Sequence, residues 1–244
     1  MSHRLFISDL HLEFESAPAF KRLEELLTVE SSCVDEIYIL GDLVEMWIGD
    51  DDDGPVASSL KALFKKHSQT VRIYLMHGNR DFLITESFTN SANIQLLSDP
   101  YITHDGIYLS HGDAYCVDDV EYQQMRTLFR SETWQADTLS KTLDERKALG
   151  HMLRSQSKAS NANKPGNIMD VNTTALQQAL LTTDCHVVIH GHTHRPGIHS
   201  DEDTKRYVLG AWERCGWLCR QTNDELRLEC FSLSKPYPGA GTPL

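Results

Sequence analysis

RLFISDLHLEF, residues 4–14, starts as a short apolar run and breaks abruptly into polar side chains. That is how a buried strand reads when it delivers its last residues to the edge of a sheet. Working outward from it, the same design returns four times. EIYIL runs into Gly41-Asp42, VRIYLM into His77-Gly78-Asn79-Arg80-Asp81, GIYLS into His111-Gly112-Asp113, and HVVI into His190-Gly191-His192-Thr193-His194. Helix-favouring stretches around Ala19 to Leu27 and Val56 to Lys66 separate the first three. Strands alternating with helices predict an α/β fold of βαβ units, which gathers its ligands at the C-terminal edge of the strands.

From Asp118 to about Ser157 the pattern becomes charged and helix-favouring, with apolar positions such as Met125, Leu128, Phe129, Leu149, Met152 and Leu153. This predicts helices inserted between strands, begun by a cap at Asp118 or Asp119. SQSKASNANKPGN (155–167) reads as loop, a helix is expected near Asn172 to Leu181, and RYVLGAW, GWLCRQ and LRLECF read as strands. The organisation expected is one domain over 1–244, with a helical insertion at about 118–165 and a loose C-terminal tail at about 234–244.

Composition narrows the class. A chain of 244 residues with 40% hydrophobic content can fill one sizeable core. It has no run of eighteen apolar residues, and its first residues lack the pattern of a signal peptide, so a cytoplasmic protein that spans no membrane is expected. Six cysteines without CxxC spacing predict reduced packing residues rather than a zinc knuckle or a disulfide framework. The net charge of −12 argues against a nucleic-acid partner and suits carboxylates kept for cations. Between Val120 and Pro165, eight Lys/Arg stand against five Asp/Glu, so this window runs opposite to the rest of the chain.

The strand ends carry the chemistry. Asp9 and His11 stand two apart, and in extended backbone both would project to one side and grip a single cation. His192 and His194 repeat that spacing. Asp42 follows a glycine and offers two oxygens, the natural bridge between two cations, while Asn79 adds an amide oxygen and His111 an imidazole. Oxygen and nitrogen donors without thiolate suit Mn²⁺, Fe²⁺ or Zn²⁺ better than Ca²⁺ or Mg²⁺. Two such ions about 3.5–4 Å apart can promote in-line displacement at phosphorus. Arg80 reads as a clamp for a phosphate oxygen, against a simple ion pair with Asp81. His190 reads as structural or as a support behind the donor residues, His77 equally as structural, and Asp50 to Asp53 as a solvated acidic loop or helix cap.

Singly these elements are ordinary. DxH, GD, GNRD, HGD and GHTH in this order, each after an apolar strand, resemble the calcineurin-like metallophosphoesterase superfamily. The resemblance implies a sandwich of two mixed β-sheets flanked by helices, with the helical insertion as a lid. It implies two metal ions: Asp9, His11, Asp42 and His194 would hold one, and Asp42, Asn79, His111 and His192 the other. Longer segments, FISDLHL, ILGDLVEMWIGDDD, HGNRDFL, LSHGDAYCVDD, SQSKASNANK, IMDVN, VIHGHTHRP and LGAW, look like the UDP-2,3-diacylglucosamine hydrolases of bacterial lipid A synthesis, from roughly Leu5 to Trp212.

That family resemblance implies Mn²⁺-dependent cleavage of the pyrophosphate, by attack of a metal-held hydroxide on the uridine-side phosphorus, releasing UMP and the diacylated sugar 1-phosphate. It implies catalytic roles for Asp42 and Arg80. Asn79, Arg80, Asp119, Ser157, Asn161, Lys164 and His192 would bind substrate. Its other implications are an acylated UDP-sugar as partner and peripheral contact with the cytoplasmic face of the inner membrane, helped by the basic insertion. The apolar positions of the insertion could then form an acyl groove. Two alternatives share parts of the reading. A soluble phosphodiesterase or nucleotidase would use the same metals without the insertion, and a silent scaffold would be expected to lose ligands.

Overall fold

Strand ends meet at one rim because two sheets are stacked with their parallel strands pointing the same way. The computed structural model describes residues 2–161, 164, 166–201 and 203–239. Along the chain β1 (His3–Ile7), α1 (Pro18–Glu30), β2 (Glu36–Leu40), α2 (Pro55–His67), β3 (Arg72–Met76), α3 (Glu86–Ala92) and β4 (Gln95–Leu97) form successive βαβ units. β5 (Tyr101–Ile102) and β6 (Ile107–Ser110) follow, then three helices, α4 (Val120–Phe129), α5 (Glu132–Leu139) and α6 (Leu143–Asn161). The chain continues through α7 (Thr173–Leu180), β7 (Val187–His190), β8 (Gly197–Ser200), β9 (Lys205–Val208), β10 (Cys215–Thr222) and β11 (Glu225–Ser232).

One sheet has the order β11-β10-β1-β2-β3-β4 and the other β5-β6-β7-β9-β8. β1 to β4 are mutually parallel and β10 and β11 antiparallel, while β6, β7 and β9 are parallel between antiparallel edges. Both sheets are therefore mixed, as the resemblance implied. Period-two alternation sorts the side chains. Phe6, Tyr38, Leu40 and Met76 meet Ile107, Leu109 and Ile189 between the sheets. Leu5, Ile7, Ile37, Ile39, Ile73 and Leu75 face α1 to α3 instead, and Tyr108 and Val188 face α7. Burying each such side chain contributes about 1.5–3 kcal/mol, so the register is firmly set.

The helices follow local signals. Pro18 and Pro55 occupy first turns, and Lys65, Lys66 and His67 close α2 where the helix dipole favours positive charge. Asp119, Ser131 and Asn172 cap α4, α5 and α7. Asp50 accepts from the backbone of Thr85 and Phe88 at the start of α3, which bears out a capping role within the acidic run. The six cysteines are free, and no described helix is long and apolar enough to cross a membrane.

Four departures from the sequence reading matter. α3, β4, β5 and β8 went unread, since a helix of seven residues and strands of two to four carry too little periodicity. RYVLGAW stops being strand at Val208, where the chain turns so that Trp212 N donates to Asp9 O at 3.0 Å. SQSKASN is not loop but the last two turns of α6. Its weak helix formers are held from both sides, by an Arg154 ion pair with Glu45 and by Ser160 donating to Glu121 at 3.1 Å. Finally, the tail is held as far as its described part extends. Tyr237 is buried, donates to Glu30 at 2.6 Å and packs on Phe231; residues 240–244 lie outside the described residues.

Candidate metal centre and its cleft

Asp9, Asp42, Asn79, His111, His192 and His194 all sit within a few residues of the C-terminal ends of β1, β2, β3, β6 and β7. The sequence argument for how the paired residues converge is corrected here. Asp9, His11, His192 and His194 are not extended but left-handed, with φ of 55°, 49°, 66° and 56°, and Asp42 has φ 52°. Side-chain alternation therefore does not bring the pairs together. Tight turns do, held by Asp9 N to Gly41 O at 3.1 Å, His11 N to Asp42 O at 3.0 Å and Gly191 N to His111 O at 3.0 Å. Left-handed backbone costs a non-glycine residue about 1–2 kcal/mol, so five such residues in one place mark a site where the fold maintains strain for a purpose. Gly41 adds a sixth positive φ, and a Cβ there would lie 2.5 Å from Gly78 N, so only glycine lets the second and third turns touch.

All seven side chains meet. His11 Nε2 lies 3.2 Å from His194 Nε2, 3.8 Å from Asp42 Oδ2 and 3.9 Å from Asp9 Oδ1. His194 Nε2 is 3.3 Å from Asp9 Oδ1. On the other side Asn79 Oδ1 lies 3.1 Å from His111 Nε2 and 2.8 Å from His192 Nδ1, and His111 Nε2 is 3.7 Å from Asp42 Oδ1. Among the described residues two triads have donor atoms all within 4.8 Å of one another, Asp9-His11-His194 and Asp9-Asp42-His111. The resemblance gave the shared carboxylate to Asp42; here Asp9 belongs to both triads while Asp42 reaches both His11 and His111.

Charge makes the same point. Asp9, Asp42, Asp81 and Asp113 are at most 2% exposed, an arrangement that calls for compensating cations. Burial and then the neighbouring Asp42 push the Asp81 carboxyl up to about 6. Burial would lower His111, but Asp42, Asp9 and Asp113 outweigh it and push it up to about 9. Burial and the charge on His111 push His192 down to about 4, which keeps its ring neutral. Buried carboxylates that hold positive charge on a neighbouring ring, beside an amide oxygen and further imidazoles around two adjacent points, fit a pair of divalent cations.

Beside this cluster opens a cleft of about 440 Å³. Asn79, Arg80, Ser157 and Lys164 line it, and Met125, Phe129, Leu149 and Leu153 make part of its apolar wall. Phe82, Phe129 and Trp134 stack in one corner, with ring centroids 4.7–6.2 Å apart. Leu128 and Met152 do not line it; they are 48% and 49% exposed. Arg80 is not paired with Asp81, whose oxygens accept from Gly78 N and Leu43 N. Arg80 Nε is buried without a hydrogen-bond partner among the described residues. Asp119 is engaged by Lys164 at 2.8 and 2.9 Å and caps α4. The Asn161 side chain lies outside the described residues. His77 bonds the Ile84 carbonyl and His190 the Gly191 carbonyl, so both are structural.

The family model for calcineurin-like phosphoesterases matches residues 3–196. The UDP-2,3-diacylglucosamine hydrolase of Aeromonas hydrophila is 39% identical over 237 residues, covering 94% of this chain and 98% of that protein. The enzyme of that name from Serratia proteamaculans is 38% identical, covering 93% and 98%. The chain belongs to the UDP-2,3-diacylglucosamine hydrolase family of calcineurin-like phosphoesterases. A solved archaeal phosphodiesterase, 12% identical with TM-score 0.51 over 94% of this chain and 99% of that one, shares the fold.

Sequence reasoning passed over several residues that this member of the UDP-2,3-diacylglucosamine hydrolase family packs around the donors. Asp113 is fully buried and accepts from Tyr122 at 2.9 Å, from Arg126 at 2.8 Å and from Arg130 at 3.4 Å. Arg130 also donates to Gly78 O at 3.0 Å, so α4 is tied to the turns that carry Asn79 and His111. Glu45 stands beside His11. Asp81 and Asp113 were already inside the GNRD and HGD motifs, where an acidic residue next to metal-type donors was the signal to follow.

Proposed function

We propose that this chain hydrolyses the pyrophosphate bond of UDP-2,3-diacylglucosamine to UMP and 2,3-diacylglucosamine 1-phosphate, a step of lipid A biosynthesis. The observation that carries the reading is one cleft lined both by Asn79 of the donor cluster with Arg80 and by an aromatic and aliphatic wall. The near-full-length family membership supports the same substrate.

In this reading Asp9, His11, Asp42 and His194 hold one divalent ion and Asp42, Asn79, His111 and His192 the other, with Mn²⁺ as the metal. Such ions supply Lewis-acid polarisation of phosphoryl oxygens and a nucleophile at neutral pH. The chain's own residues do the rest. His192 N donates to both oxygens of Asp9, at 3.1 and 2.9 Å, and Arg80 N to Asp42 at 2.8 Å, which keeps both carboxylates aimed inward. The Arg80 guanidinium binds the pyrophosphate and stabilises charge that grows in the transition state. Ser157, Asn161 and Lys164 lie on or just past α6 and bind the polar part of the substrate, with Asp119 orienting Lys164. Phe82, Phe129 and Trp134 receive the acyl chains.

Peripheral docking on the inner membrane is part of the proposal, in a narrower form than composition suggested. Arg126 and Arg130 serve Asp113, Arg146 serves Asp51, Arg154 serves Glu45 and Lys164 serves Asp119. Exposed Lys147 and Lys158, with exposed Val120, Leu128 and Met152, remain for an anionic surface. K147E/K158E should then sediment less with anionic liposomes, and unchanged sedimentation would remove this part.

Hydrolysis in ¹⁸O-water by the Mn²⁺-loaded protein tests the reaction. Label in UMP is expected. Label in the sugar phosphate would reverse the direction of attack. Turnover of water-soluble phosphodiesters alone would replace this reading by a soluble phosphodiesterase or nucleotidase.

A further inference from the structure

The first two turns of the site are joined beyond the metal-type donors. His11 N donates to Asp42 O, Leu12 N to Leu43 O at 3.1 Å, and Glu45 N to Leu12 O at 3.2 Å, with Leu12 and Val44 forming an isolated parallel bridge. This short ladder continues the β1–β2 pairing past the strand ends and fixes Glu45 next to His11 by register. Glu45 Oε2 lies 3.1 Å from His11 Nδ1, on the side of the ring away from Nε2, which faces Asp9, Asp42 and His194. The other Glu45 oxygen is taken by Arg154 of α6. Glu45, His11 and Arg154 side chains are only 18–27% exposed, so these contacts are little screened. His11 Nδ1 has no aligned hydrogen bond among the described residues, but the carboxylate stands within reach to accept one from an Nδ1–H.

We infer that Glu45 is a positioning residue that holds His11 with its Nδ1 protonated and its Nε2 presented to one half of the metal centre. This rests on the metal reading proposed above. An imidazole ligand needs one nitrogen unprotonated, and an acceptor at the other nitrogen selects that tautomer and the ring angle together. Among the described residues no comparable carboxylate serves the other half: the outer nitrogen of His111, Nδ1, faces the Leu40 carbonyl at 2.9 Å, and His192, whose Nδ1 turns inward to Asn79, forms no ion pair with a carboxylate. The effect of losing Glu45 is therefore one-sided. Arg154 keeps the carboxylate in place and carries the arrangement to the wall of the cleft, which both residues line.

Mn²⁺ titration of metal-stripped protein tests this, with bound metal counted by equilibrium dialysis and elemental analysis. Wild type is expected to bind two ions. Glu45→Ala should weaken one of them about 10–100-fold and leave the other within about threefold, the size of loss typical when a partner of a ligating histidine is removed. Glu45→Gln should recover most of the affinity, because its amide oxygen still accepts from Nδ1–H. Hydrolysis by Glu45→Ala should return as Mn²⁺ is raised. Two ions bound with wild-type affinity by Glu45→Ala would overturn the inference and leave the metal reading intact. So would equal weakening of both ions, or a Glu45→Gln variant no better than Ala. A wild-type protein that binds no Mn²⁺ would overturn both.

Discussion

Asp42 is the side chain on which most of the site leans. Its oxygens lie 3.8 Å from His11 and 3.7 Å from His111, it accepts from Arg80 N, and its charge raises both Asp81 and His111. Asp42→Ala should lower kcat of the Mn²⁺-loaded protein by more than about 100-fold, beyond what loss of an outer partner costs. The fold should survive, since Asp81 then loses a repulsive neighbour. Circular dichroism with a kinetic assay reads both, and near-normal turnover would make the ligand assignment untenable. At this scale the sequence was legible in residue identity: the seven side chains that meet at the rim were nameable from five motifs, because each follows an apolar run. It was not legible in backbone. Asp and His tolerate left-handed backbone better than most residues, but no local pattern marks these turns, and the contacts that hold them, such as Trp212 N on Asp9 O, join residues far apart in the chain.

Elements bring in the insertion. α4 has no buried residue of its own, so its attachment rests on polar contacts to Asp113 and on the Phe129 corner. Asp113→Ala would leave Arg126 and Arg130 facing an empty acceptor site, at a cost on the order of 3 kcal/mol. Urea unfolding should show that loss, and hydrogen exchange should speed up in α4 more than in α1. Phe129→Ala tests the cleft instead. Removing an aromatic wall forfeits on the order of 1–2 kcal/mol of binding. KM for the diacylated substrate should therefore rise about tenfold, with turnover of a short soluble phosphodiester within twofold of wild type. Equal effects on both substrates would mean that the aromatic corner holds no acyl chain. Legibility here depended on length. The long amphipathic helices showed in the spacing of Met125, Phe129, Leu149 and Leu153, whereas the end of α6 was hidden by Ser and Asn that favour loops until Glu45 and Glu121 hold them.

Across the whole molecule the two rims of the sandwich carry opposite tasks. The C-terminal rim collects carboxylates that wait for cations; the N-terminal rim closes its charges on itself. Arg4, 1% exposed at the start of β1, donates to Glu36 at 2.6 Å, to Asp105 at 2.7 Å and to Gln221 at 3.2 Å. It thereby joins β1, β2 and β10 to the turn before β6 in the other sheet. Tyr38, Tyr74 and Arg72 add further contacts to Glu36. This rim was invisible in the sequence, because Arg4, Glu36 and Asp105 are isolated charges that only the stacking of two sheets brings together. Burial would raise the Asp105 carboxyl, but hydrogen bonds from Thr103, Gln221 and Arg4 outweigh it and hold the group well below the usual carboxylate range. A carboxyl depressed in the folded state stabilises the fold above its unfolded value of about 4 and loses that contribution as pH falls toward the folded value. Wild type should accordingly exceed Asp105→Asn in urea midpoint at pH 7 and at pH 5, and the gap should narrow steadily below about pH 4. Other carboxylates titrate alike in both proteins and drop out of the difference. A gap that stays constant down to pH 3 would mean that the Asp105 charge does not help to hold the two sheets together.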